Sequence, residues 1–141
     1  MNSSNAFWSH FVRPLENKQV PTISQLESWL SIDRTNEYHY NFPDFICQEY
    51  AAILVLHARA QEWQMGFVNV YGYDTNTGEE WNHSLNAVVT TDGLVYVEPQ
   101  NDAVWWYAGH AEMKSGQNYQ ILHSDPPRTI HIKKIEVVVK Y

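Results

Sequence analysis

A single cysteine in 141 residues closes two routes to a stable small protein. A lone thiol forms no internal disulfide and builds no multi-cysteine zinc site, so disulfide scaffolds and zinc fingers are excluded. Cys47 is left with either a buried apolar role or a reactive one. Positive charge is also scarce. Nine Lys+Arg stand against sixteen Asp+Glu, a net charge of -7, which argues against polyphosphate partners and sets nucleic acid aside. Long apolar runs are missing as well: Ala51 to Leu56 falls far short of the ~20 residues of a membrane span, and the first residues, MNSSNAFWSHFVRP, hold no apolar signal core. As it stands the sequence reads as soluble, cytoplasmic and not membrane-bound, unless it is a domain excised from a larger exported protein. No histidines recur at i, i+4 or H-x-H spacing, and no loop carries carboxylates at calcium-ligand spacing, so neither a metal nor a cofactor is expected.

What is present is globular. A 44% hydrophobic and 18% charged composition fits one packed core, and no repeat or linker divides the chain. We expect a single domain over 1–141, with an arm over 1–20 and the core over 21–141. Thr22 and Gln25 stand at capping-box spacing ahead of Ile23, Leu26, Trp29 and Leu30, which predicts a helix over 23–31. Pro43-Asp44 suits a helix start, and 45–63 runs without Gly or Pro. Its stripe of Cys47, Ala51, Leu54 and Ala58 is joined by Ile53, Val55 and Leu56, so this helix is expected at the centre of the fold.

Strand candidates follow. They are 67–73, closed by the loop Asp74-Thr75-Asn76-Thr77-Gly78; a hairpin of 83–90 and 94–98 around Asp92-Gly93 as a type I′ turn; 117–122; and an alternating C-terminal run of Ile135, Val137, Val139 and Tyr141. Ile130 and Ile132 are out of phase with that run, which calls for a bulge or bend at Lys133-Lys134. Helices followed by antiparallel strands give an α+β fold. Trp105-Trp106-Tyr107 reads as packing beneath a loop rather than as a ligand platform.

Cys47 falls in the first turn of the long helix, where free N–H groups and the helix dipole favour a thiolate. A nucleophilic thiol needs a base and a group that orients the base. His57, ten residues along the same helix, is roughly 15 Å from the thiol and is eliminated. His39 and His110, in loops, stay open, but His83 opens a hairpin strand and projects from a rigid element. With Asp92-Gly93 as the turn, Ala87 would face Glu98 and His83 would face Asp102, with all four on one face. Pro99 should end regular pairing first. Either carboxylate could orient His83.

The stretch FICQEYAAIL from Phe45 and the stretch NHSLNAVVTTDGLVYVEP from Asn82 together resemble the core of the transglutaminase-like superfamily. The likeness extends upstream through Leu26, Trp29-Leu30, Asp33-Arg34-Thr35 and Tyr40, as in small bacterial and archaeal members, and covers about residues 22–100. The resemblance implies a papain-like core with the Cys-bearing helix packed on an antiparallel sheet. It implies Cys47 as nucleophile, His83 as base and Glu98 as the orienting group. The third position is usually Asp, and this departure keeps Asp102 as the alternative. Ser84-Leu85 replaces the small residue and Trp of many relatives. The implied activity is acyl transfer on amide or peptide substrates, as a protease, amidase or transglutaminase-like enzyme, with Tyr40 as an oxyanion donor. The rival expectation is a catalytically silent module that binds peptide or glycan.

Overall fold

A computed structural model of the chain describes residues 15, 17–33, 47–98, 103–105, 112–121 and 127–141. Helix α1 (Ile23–Ile32) starts as its sequence requires. The Thr22 N–H donates to Gln25 Oε1 at 2.9 Å and the Gln25 N–H donates to Thr22 Oγ1 at 3.0 Å, closing the capping box. Helix α2 (Cys47–Arg59) follows. It stops through a Schellman arrangement in which the Trp63 N–H reaches Ala58 O at 3.2 Å and the Glu62 N–H reaches Arg59 O at 2.9 Å, with Glu62 held at φ 61°. The expected helix to Trp63 therefore ends four residues early. Its start at 45–46 and the Pro43-Asp44 turn lie outside the described residues.

Strands β1 (Gly66–Asp74), β2 (Glu80–Thr90), β3 (Gly93–Glu98), β4 (Ala103–Trp105), β5 (Asn118–Ile121) and β6 (Arg128–Val139) form one antiparallel sheet in the order β4-β3-β2-β1-β6-β5. The fold is α+β. The sheet is strongly curled. Four strand spacings separate β3 from β5, about 19 Å in a flat sheet, yet the Tyr96 and Tyr119 rings meet edge to face at 5.8 Å. The Met113 N–H also donates to Tyr96 Oη at 2.8 Å across the same gap.

Curling gives the sheet two cores. Inside the curve lie Val68, Val70, Leu85, Ala87, Tyr96, Tyr119, Ile121, Ile130 and Ile132. On the convex face, Phe67, Val88, Val95 and Val97 pack against Leu26, Trp29 and Leu30 of α1 and Ala51, Leu54, Val55 and Ala58 of α2. Helix α2 buries a wide arc of Tyr50, Ala51, Ala52, Leu54, Val55 and Ala58 and leaves Leu56 exposed.

Two bulges shape β6. Pairing with β1 steps from Lys134–Tyr71 to Ile132–Gly72, leaving Lys133 as the extra residue. This is the bulge expected at the lysines, and it returns Ile130, Ile132 and Ile135 to one face. A second register shift lies between Val137 and Val139. It leaves Val137 exposed and buries Val138 and Val139, so the simple alternation expected for the C-terminal run fails there.

Candidate functional site

The β2–β3 hairpin departs from the expected register. Thr90 pairs with Gly93, so Thr91-Asp92 form the tip and Ala87 faces Tyr96. A type I′ turn needs positive φ at both tip residues, whereas here the positive φ (112°) sits on Gly93, the first residue of β3. The Thr90 hydroxyl holds this geometry by donating to Gly93 O at 2.7 Å and accepting from the Asp92 N–H at 3.1 Å. The shift moves every partner by two positions, which preserves the face each side chain takes. His83 and Glu98 therefore still share a face, and it is the concave one.

The two residues meet. His83 Nε2 and Glu98 Oε2 are in direct contact. Glu98 lies opposite Leu85 in the continued register, so His83 is its diagonal neighbour, a separation that a long side chain can span. The carboxylate is 8% exposed and the imidazole 24%. A buried carboxylate with one aromatic nitrogen against it fixes the ring's orientation and the nitrogen that carries the proton. Trp81, two residues back on the same face, leans on the ring with centroids 5.3 Å apart.

Cys47 is the first residue of α2. The helix is oriented by its ends. The Gln19 N–H donates to Glu62 O, and the Thr91 N–H donates to Pro21 O, at 2.7 and 2.9 Å. The C-terminal end of α2 thus lies toward the hairpin tip, and its N-terminus points toward the opposite end of β2, where His83 stands. Midway, the Asn86 Nδ2 donates to Ala51 O at 2.8 Å. From that contact, Cys47 is one helical turn back, about 6 Å, and His83 is three strand residues back, about 10 Å, in the same direction. Alternation, however, puts Asn86 on the convex face and His83 on the concave one. The helix start and the imidazole approach the end of β2 from opposite sides. The β2–β3 ladder ends at Asn86–Val97, so from Leu85 back to Glu80 the paired neighbour of β2 among the described residues is β1 alone.

Tyr40 and Asp102 lie outside the described residues, as do His39, His110, Trp106 and Tyr107. His57, eliminated as a base by distance, has a different partner: its Nδ1 lies 2.7 Å from Asp33 Oδ2 and ties the end of α2 to the cap of α1. Asn86, which joins β2 to α2, is marked by no motif in the sequence. What the sequence does show is the alternation of β2, which places Asn82, Ser84 and Asn86 together on the face opposite His83.

Among the described residues no three His, Cys, Asp or Glu side chains group as a metal site, and no helix is long and apolar enough to cross a membrane. Comparison with protein-family models, curated proteins and solved structures finds no match.

Proposed function

We propose that this chain is a transglutaminase-like, papain-type domain that carries out cysteine-dependent acyl transfer on amide or peptide substrates. The observation that supports it is the His83–Glu98 contact, in which a buried carboxylate holds an imidazole at the end of the sheet to which the N-terminus of α2 points. With Glu98 on Nε2, Nδ1 becomes the ring's basic nitrogen in the neutral imidazole. In the first half-reaction His83 takes the Cys47 proton and the thiolate attacks the carbonyl carbon. The C–N bond breaks as the imidazolium protonates the departing amine, leaving a thioester. Water or a second amine then gives up its proton to His83, attacks the thioester and releases the thiol. The Cys47 N–H and Tyr40 serve the oxyanion. The helix dipole favours the thiolate, and the Glu49 carboxylate in the same turn opposes it.

The test is alkylation. Iodoacetamide at pH 7, with the adduct located by peptide mass mapping, should modify Cys47 well ahead of a free thiol, and His83→Ala should slow it sharply. Modification no faster than for free cysteine defeats this reading. A second reading, a silent module that binds peptide or glycan, is favoured by one observation: α2 and the His83 ring approach β2 from opposite faces. A sluggish, His83-independent thiol is the result it expects.

A further inference from the structure

Asn86 is fully buried. Its Nδ2 donates to two carbonyls, Ala51 O of α2 at 2.8 Å and Gly66 O of β1 at 3.2 Å, while its Oδ1 is buried and has no partner among the described residues. Two donors committed to two carbonyls fix the amide's orientation, so the orphaned oxygen is not a matter of how the group is turned. An orphaned buried acceptor costs stability, and an apolar side chain of similar volume would avoid that cost. What the amide offers in return is geometric: one side chain of β2 pins a turn of α2 and the start of β1 together. Polarity continues along the same face. Ser84 Oγ donates to Asn69 Oδ1 at 2.6 Å, both buried, at the next convex positions toward the end of β2 to which the helix N-terminus points. Toward the hairpin tip that face is apolar, with Val88, Val95 and Val97.

We infer that Asn86 is a positioning residue that sets the height and rotational phase of α2 on the sheet, and so the place of the thiol one turn before Ala51. The inference rests on the thiol reading above. Displacing a reacting group by about 1 Å can cost on the order of a hundredfold in rate, and one bidentate amide a single turn from the thiol-bearing residue gives control on that scale.

The experiment is the pH profile of Cys47 alkylation by iodoacetamide in wild type, Asn86→Leu and Asn86→Gln, each first shown by far-UV circular dichroism and a cooperative melt to be folded. Asn86→Leu should alkylate about tenfold or more slower at pH 7, with its midpoint moved toward that of a free thiol. Asn86→Gln, which keeps the carboxamide, should recover part of the loss. A purely structural Asn86 would change the melting temperature and leave the pH profile alone, and that result overturns the inference. Should Asn86→Leu fail to fold, Asn86→Ser makes the same comparison with a milder change. A wild-type thiol no faster than free cysteine defeats the catalytic reading itself, and this inference with it. An activated wild-type thiol that keeps its profile in folded Asn86 variants defeats the inference alone.

Discussion

Glu98 reaches His83 along a diagonal of the β2–β3 hairpin, with Leu85 in the position directly opposite. That geometry gives the extra methylene of Glu a purpose, because a directly opposed pair would suit the shorter Asp. We expect Glu98→Asp to slow Cys47 alkylation nearly as much as Glu98→Gln, each by about tenfold, the range in which mutation of an outer partner typically acts. Asp102→Asn should leave the rate unchanged. Rates measured on the three folded variants decide between the two carboxylates: a slow Asp102→Asn with a normal Glu98→Gln would transfer the orienting role to Asp102.

Local rules carried much of this fold. The capping box at Thr22 and Gln25 placed α1 to within a residue, and two apolar phases in one strand called for the bulge found at Lys133. The hairpin turn departs from its local signal: Asp92-Gly93 is a strong turn pair by itself, but the Thr90 hydroxyl, bonding to both Asp92 and Gly93, moves the tip back by one residue. His83 and Glu98 share a face in either register because a two-position shift preserves alternation. The curl of the sheet was not legible. It depends on Tyr96 meeting Tyr119 and Met113, contacts between strands that no local pattern relates. For the same reason no local pattern indicates that α2 and the imidazole take opposite faces of β2.

Asp74 closes the loop between β1 and β2. Its Oδ1 accepts from the Asn76 and Thr77 N–H groups, and its Oδ2 takes the Arg128 Nε–H at 2.9 Å. The Arg128 hydrogen bond, followed by the Asn76 N–H, holds its carboxyl below the usual 3.8. A depressed folded-state value means the contribution to stability is complete above the unfolded value and is lost as pH falls through the folded one. Urea midpoints taken from pH 6 down to pH 2.5 should therefore fall in the acid range, and Asp74→Asn should lower the midpoint at pH 6 while flattening the acid limb. An acid limb equally steep in Asp74→Asn would assign the effect to other carboxylates.

At the other end of the pH scale the buried phenols act with opposite sign. Burial pushes Tyr119 up to about 12, and pushes Tyr96 up as well, against the opposing pull of its Met113 N–H bond. In the unfolded chain both ionise near 10. Their contribution is thus intact below pH 10 and is lost as pH rises toward 12, because the unfolded chain releases protons that the fold retains. Tyr119→Phe, which has no proton to release, should show a shallower loss of stability between pH 10 and 12 than wild type. Parallel curves would mean that Tyr119 is as accessible to base when folded as when unfolded.

Glu62 occupies the position after α2 where the Schellman bonds require a left-handed backbone, and its φ is 61°. Glycine adopts that conformation without a Cβ penalty, whereas other L-residues carry a cost of about 1–2 kcal/mol. The Glu62 carbonyl is the group that accepts from Gln19, and a glycine keeps it. Part of the gain is offset because glycine adds entropy to the unfolded chain. Glu62→Gly should accordingly raise the unfolding free energy by about 1 kcal/mol, read as a higher urea midpoint at unchanged slope. A lower midpoint would mean that the Glu62 side chain contributes more than its backbone strain removes.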